Sequence, residues 1–216
     1  MQIKAILFDF DGTLANTVDL IIATFEHTCR TMLGTVPPRA AIVNTFGLPL
    51  GDAMLALSGR AELVEQMRDV YREYNNKHHD EMIKPIAGVQ ETLAALKEQD
   101  IKIAVVTSKK QPMVLRGISC LHLEPYIDAV IALGDTQESK PHSEPMLAAC
   151  AKLGVAPQEC LCVGDSPFDL QSGRNAGART VAVRYTAFTW EQIMAEGRPD
   201  YVIEQPQELL ALVKRA

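Results

Sequence analysis

Ile6-Leu7-Phe8-Asp9-Phe10-Asp11-Gly12-Thr13-Leu14 is an apolar run that stops at two carboxylates two residues apart, followed by a glycine and a hydroxyl. In an extended backbone residues i and i+2 point to the same side, so Asp9 and Asp11 are expected to share a small volume at a strand's carboxyl end. Two anions about 4 Å apart repel by roughly 4 kcal/mol at an effective dielectric near 20, so the pair calls for a cation. Magnesium takes oxygen ligands and is held by one or two carboxylates together with substrate phosphate, which suits this stretch. A calcium loop or a plain strand-turn-helix capped by Asp and Thr would use the same residue types, so the decision rests on context.

Beyond this stretch, further short apolar runs end in Gly, Asp or Ser/Thr and alternate with helical periodicity, the pattern of a parallel sheet with crossover helices. The expected strands are Ile3 to Phe8, Ile101 to Val106, Ala129 to Leu133, Cys160 to Val163, Thr180 to Val183 and Tyr201 to Ile203. Stretches such as Val89 to Gln99, Met113 to Leu121 and Glu144 to Leu153 are each long enough for one helix. The alternation breaks once. From Val18 to about Met82 the apolar residues recur at three and four, as in Leu63, Val64, Met67, Val70, Tyr71 and Tyr74. The fold class is therefore α/β, with an all-helical insertion after the first strand. Residues 16–84 form the insertion and 1–15 with 85–216 the sheet domain; Ala15 to Thr17 and Lys84 to Gly88 are the linkers.

In an open parallel sheet ligands bind beyond the carboxyl ends of the strands, so the residues just past each strand are informative. Asp9 and Asp11 succeed the first strand, and Thr107, Ser108 and Lys109 the second. After the third the chain loops to Lys140-Pro141, and after the fourth it reads Gly164-Asp165-Ser166-Pro167-Phe168-Asp169. Singly these are caps, turns and solvated charges. Jointly they supply the nucleophile, metal cage and cation that phosphoryl transfer requires.

These residues identify the chain as similar to the haloacid dehalogenase (HAD) superfamily, in its phosphoglycolate-phosphatase-like branch. Asp9-Phe10-Asp11-Gly12-Thr13 matches the family's first motif, Thr107 with Ser108 its second, Lys140-Pro141 its third, and Gly164-Asp165 through Asp169 its fourth. The resemblance implies a Rossmann-like sheet with a helical cap inserted after the first motif. It also implies magnesium held by the Asp9 side chain, the Asp11 backbone carbonyl and Asp165, with Asp169 in support. Asp9 is the expected nucleophile and Asp11 the general acid and then base. Thr107, Ser108 and Lys140 are the expected phosphate contacts, and Gly47 in the loop Phe46-Gly47-Leu48-Pro49 a contact from the cap. A dehalogenase of the superfamily lacks the second aspartate, so Asp11 favours phosphate esters or anhydrides. Leu20-Ile21-Ile22-Ala23, Glu26-His27-Thr28 and His78-His79-Asp80 resemble the HAD-type inorganic pyrophosphatases of Gram-positive bacteria. Diphosphate is thus the expected substrate, with phosphoglycolate or another small phosphomonoester as competitor. A phosphate- and magnesium-binding regulatory module is the alternative outside enzymology. A nucleotide-binding Rossmann protein fits less well, because the first turn lacks Gly-x-Gly-x-x-Gly.

Two local departures bear on the resemblance. Relatives usually show Asp-Pro where this chain has His142-Ser143 before Glu144-Pro145, and His142 reads as an exposed loop residue rather than a proton carrier. His78 and His79 diverge by about 100° on a helix, so they are not expected to grip one metal ion.

The chain has 216 residues, 47% of them hydrophobic, and a formal charge of −6, with no basic run to suit a nucleic-acid backbone or an anionic membrane. Neither is expected as a partner; a small phosphorylated metabolite or diphosphate is. No leader pattern or membrane-length apolar stretch is visible, which gives a cytoplasmic expectation. Of the five cysteines, Cys160 and Cys162 are too closely spaced for a zinc knuckle and read as buried strand thiols.

Overall fold

The computed structural model describes residues 2–215, so Met1 and Ala216, the outer ends of the expected sheet domain, lie outside it. Eight strands are present among the described residues: β1 (Ala5–Phe8), β2 (Ala15–Asn16), β3 (Lys84–Pro85), β4 (Lys102–Val106), β5 (Ala129–Ile131), β6 (Cys160–Gly164), β7 (Arg179–Val183) and β8 (Tyr201–Ile203). Six form one sheet in the order β5-β4-β1-β6-β7-β8, every pair parallel. The chain is a Rossmann-like α/β core carrying a helical cap. β1 sits centrally between β4 and β6, at the point where the strand order turns back, the place where such sheets bind ligands.

The alternation along each strand sorts side chains to two layers. Ile6, Phe8, Ile103 and Val105 face α5 (Val89–Lys97), α6 (Gln111–Cys120) and α10 (Leu209–Arg215), which follow α1 (Val18–Leu33), α2 (Arg39–Val43), α3 (Leu50–Ser58) and α4 (Val64–Met82) and flank α7 (Glu144–Leu153), α8 (Pro167–Ala176) and α9 (Trp190–Gln192). Ala5, Leu7, Ala104 and Val106 face α7 and α8, where smaller side chains, Ala149, Cys150, Cys162 and Ala176, allow close approach. Both layers are fully apolar, as a parallel sheet covered on two sides requires. Cys160 and Cys162 are buried free thiols in β6, as their spacing implied.

α1 to α4 make up the insertion. Its core of Phe25, Ile42, Met54 and Met67 continues into Leu170, Phe188 and Ile193 of the sheet domain, so the cap rests on the core through apolar packing. Phe46 meets Phe188 edge-on with ring centroids 6.5 Å apart.

The expected strands hold, with small shifts at their ends. Ile3 precedes the first ladder, though the Lys4 N–H already donates to Glu159 O at 2.8 Å. Leu133 lies beyond the end of β5 because its N–H turns to Lys109 O at 2.8 Å, tying two site loops together. The two expected linkers are more ordered than anticipated: Ala15 pairs with Pro85 and Asn16 with Lys84 in an antiparallel ribbon. Both chain crossings between sheet and cap therefore run side by side. No helix among the described residues is long and apolar enough to cross a membrane.

Candidate active site

β1 delivers Asp9 to the carboxyl edge of the sheet, where the Asp9 N–H still donates to Val163 O at 2.9 Å. The chain then turns sharply. Gly12, at φ +81°, donates its N–H to Ala15 O at 2.7 Å, and a Cβ on it would collide with the Asp165 carboxylate. Only glycine lets the turn and that carboxylate occupy the same corner.

β6 ends at Gly164, where any side chain would strike Asp169. Ser166 caps α8: the Asp169 N–H donates to Ser166 Oγ at 3.3 Å, and Asp169 Oδ2 accepts from Ser166 N at 3.1 Å and Oγ at 2.6 Å. This reciprocal cap fixes the carboxylate. Its other oxygen, Oδ1, accepts from Lys140 Nζ at 2.5 Å. Lys140 also donates to Asp9 Oδ1 at 2.7 Å and to Val106 O at 3.1 Å, and its side chain is only 3% exposed.

Asp9, Asp165 and Asp169 each offer a carboxylate oxygen, all within 4.8 Å of one another and all buried. Three carboxylates facing one ammonium would leave the cavity floor with an excess of two negative charges if all were ionised, and the floor resists that charging. Burial pushes the Asp9 carboxyl up to about 7, against the pull of Lys140 and with the help of Asp169 and Asp11. Burial, then Asp169 and Asp9, raises Asp165 well above the ordinary carboxylate range. Burial opposes the charge on Lys140, but Asp169 and Asp9 outweigh it and hold the ammonium protonated. Such a donor set, all oxygen and short of cations, fits a hard divalent ion.

The second carboxylate of the motif is set apart. Asp11 Oδ1 accepts from Thr17 Oγ1 at 2.7 Å and pairs with Lys109, so its side chain lies outside the trio. Its expected metal contact runs through the backbone carbonyl, which does not require the side chain to join the trio. Thr107 Oγ1 accepts from the Lys109 N–H at 3.1 Å, which leaves the hydroxyl proton to donate elsewhere. Ser108 Oγ instead donates to Gly47 O at 2.7 Å, a direct tie between the core loop and the cap. Thus Ser108 and Gly47 meet each other in this structure, and both line the space above Asp9. That space is a cavity of about 510 Å³ between cap and core, lined by Asp9, Asp11, Thr107, Asp165 and Asp169 at its floor.

A family model described as haloacid dehalogenase-like hydrolase matches residues 6–183. The chain belongs to this family. This HAD-like enzyme is a phosphohydrolase, and its matched segment runs from the first strand to the end of β7. It is 44% identical over 214 residues, 99% of each chain, to a Clostridium perfringens protein provisionally named pyrophosphatase PpaX. It is 38% identical over 213 residues, 99% of this chain and 98% of the relative, to pyrophosphatase PpaX of Halalkalibacterium halodurans. Among solved structures, one from Haemophilus somnus described as a predicted phosphoglycolate phosphatase superposes with a TM-score of 0.88 at 22% identity, covering 98% of each chain. That last likeness speaks for the HAD fold.

Within the HAD-like site, the sequence reading missed the pairing of Lys109 with Asp11, although Lys109 stands next to the second motif. It also missed Ser166, whose capping role is signalled by the Ser-x-x-Asp spacing to Asp169. His142 is exposed, and its Nδ1 accepts from the Glu144 N–H at 3.2 Å. It caps its own loop. His78 and His79 diverge: His78 packs on Tyr74 with ring centroids 4.4 Å apart, while His79 is fully buried.

Proposed function

We propose that this HAD-like hydrolase is a magnesium-dependent phosphatase that acts through an aspartyl-phosphate on Asp9, with inorganic diphosphate as its substrate. Residues 16–84 then serve as a cap domain over a core of 1–15 and 85–216. The observation that carries the reading is Lys140 Nζ held between Asp9 and Asp169, with Asp165 beside them, at the carboxyl edge of the central strand. The diphosphate assignment is supported by relatives named pyrophosphatase that are 35–44% identical along essentially the whole chain.

Asp9, Asp165 and Asp169, with the Asp11 carbonyl, would hold the magnesium ion, which supplies positive charge against the carboxylates and the phosphoryl oxygens. The Asp9 carboxylate attacks phosphorus, and the bond from phosphorus to the leaving oxygen breaks. Asp11 gives that oxygen a proton and then takes one from the water that attacks the acyl phosphate, which regenerates Asp9. Thr107 donates its hydroxyl to a phosphoryl oxygen. Lys140 keeps Asp9 oriented and offsets charge as it develops. The cap closes the cavity and keeps bulk water from the phosphorylated aspartate.

The test compares specificity constants for diphosphate and phosphoglycolate with magnesium, alongside hydrolysis of a generic aryl phosphate. Diphosphate should be preferred. A large preference for phosphoglycolate reverses the substrate assignment, and no phosphate release from any compound points to a binding module. An Asp9→Asn variant should be inactive on every substrate; full activity removes Asp9 as nucleophile.

A further inference from the structure

We propose that Arg68 and Arg72 of α4 read the leaving phosphate, so that the cap wall is an anion subsite selecting diphosphate over esters whose leaving group carries no charge. The inference rests on the diphosphate reading above and names the side chains that enforce it.

Opposite the carboxylate floor, α4 contributes Arg68, Tyr71, Arg72, Asn75 and Asn76 to the cavity. Their spacing of three and four places them on one face of the helix. Asn75 is buried there, with Nδ2 3.5 Å from Thr24 Oγ1 of α1, which fixes the face against its neighbour helix. Burial, then Asp11, pushes the Tyr71 hydroxyl up, so this face of the cap senses the charge of the core.

Both guanidiniums are available. Arg68 Nε is buried yet donates to no group in the protein, and its Nη1 meets only Glu65, whose side chain is 74% exposed. Arg72 lies 3.5 Å from Asp69, whose side chain is 76% exposed. Pairs of this kind one helical turn apart are weak and screened by water, so a phosphate can displace them. The core's own cations are committed: Lys140 to Asp9 and Asp169, and Lys109 to Asp11. Lys110 lies at the cavity rim and is exposed. The remaining cap wall is mostly apolar, with Phe25, Phe46, Leu48 and Leu50, and the Thr45 hydroxyl donates to Ile42 O at 2.7 Å.

The chemistry of the two ends therefore differs. The floor takes the phosphoryl group that is transferred, and a second phosphoryl group projecting toward α4 would meet two planar forks suited to its oxygens. An aryl phosphate presents an uncharged ring to the same wall.

The experiment measures kcat and KM with magnesium for diphosphate and for p-nitrophenyl phosphate in the intact chain, in Arg68→Gln, Arg72→Gln and the double variant, and in Arg68→Lys and Arg72→Lys. Thermal melts establish that each variant folds. The ratio of specificity constants, diphosphate over aryl phosphate, should fall by about 10- to 100-fold in the Gln variants, the worth of a hydrogen bond to a charged group, chiefly through a higher KM for diphosphate. The Lys variants, which keep charge without the fork, should lie between. Arg39→Gln, on the exposed surface of the same cap and away from the cavity, should leave the ratio at its parent value. An unmoved ratio in the arginine variants, or an equal loss on both substrates, overturns the proposal while the diphosphate assignment stands. A ratio that falls for Lys110→Gln and not for the arginines moves the subsite to the core edge and also overturns it. A parent enzyme that hydrolyses the aryl phosphate but not diphosphate removes the assignment itself, a failure visible before any variant is made.

Discussion

In the proposed mechanism the chemistry of the floor turns on Lys140, whose ammonium is fixed between Asp9 and Asp169. Replacing it by alanine removes a preorganised charge at the proposed reacting centre, so the barrier for diphosphate should rise by about 3 to 4 kcal/mol and kcat fall by a few hundredfold, roughly 200- to 900-fold. It also leaves buried carboxylates without their partner, a loss of about 3 to 5 kcal/mol that a melt of the metal-free protein would register. Turnover within a few fold of the parent removes Lys140 from the mechanism. Gly12 tests the geometry from the other side. Gly12→Ala combines a φ of +81° with a methyl aimed at Asp165, whereas Gly34→Ala, at φ +72° with open space around it, carries the backbone strain alone. Gly34→Ala should lose about 1 kcal/mol of stability and Gly12→Ala more than that, and Gly12→Ala alone should also lose activity, at least about tenfold. The positions of Asp9, Thr107, Lys140, Asp165 and Asp169 were legible because each comes after an apolar strand run, and strand ends in a parallel sheet share one edge. What the two carboxylates of the first motif do to each other was not legible. Alternation places them on one side, but the turn at Gly12 gives Asp11 its own partners, Thr17 and Lys109, and no strand period encodes a turn.

Among the secondary-structure elements, α4 joins the cavity to the crossing between cap and core. Near its C-terminal end Asp80 receives Arg116 Nε at 2.8 Å and Cys120 Sγ at 3.2 Å, both from α6, and lies 2.8 Å from His79 Nδ1. These contacts hold Asp80 well below the ordinary carboxylate range, first through Arg116. His79 is fully buried, its Nε2 has no partner, and burial, then Lys109 and Arg116, lowers its pKa against the pull of Asp80. The folded protein therefore disfavours the His79 imidazolium relative to the unfolded chain, which takes up a proton at the ordinary histidine pKa. Stability attributable to this side chain is present above about pH 6.5 and is lost as pH falls below it. With saturating magnesium, the parent should lose several degrees of Tm between pH 7 and 5.5 relative to His79→Gln. Parallel profiles show that His79 is not the titrating group. The helices of the cap were legible from their period of three and four. The two-residue strands that tie its crossings were not, since Ala15-Asn16 and Lys84-Pro85 are too short to show alternation and pair across a gap of nearly seventy residues.

In the molecule as a whole, a cap packed onto a parallel sheet encloses an acidic floor that the chain itself does not neutralise. Asp9, Asp165 and Asp169 oppose one ammonium in a water-poor corner, so the folded state carries a repulsion that a bound divalent cation would relieve and the unfolded chain does not have. Anything that binds the folded state alone stabilises it by mass action, about 2.7 kcal/mol at a hundredfold excess over Kd. For a chain of this length that corresponds to a rise in Tm of about 5 to 11 °C when magnesium replaces a chelator at constant ionic strength. Calcium, which prefers more ligands and a looser cage, should stabilise without supporting turnover. Asp165→Asn should keep the fold, since it removes repulsion in the metal-free protein and raises its Tm, yet it should cut the magnesium-induced shift by more than half. The two effects have opposite signs in a single side chain, and that separates a metal ligand from a merely structural carboxylate. A magnesium shift as large in Asp165→Asn as in the parent, or none in either, would place the ion elsewhere or nowhere, whatever the substrate proves to be.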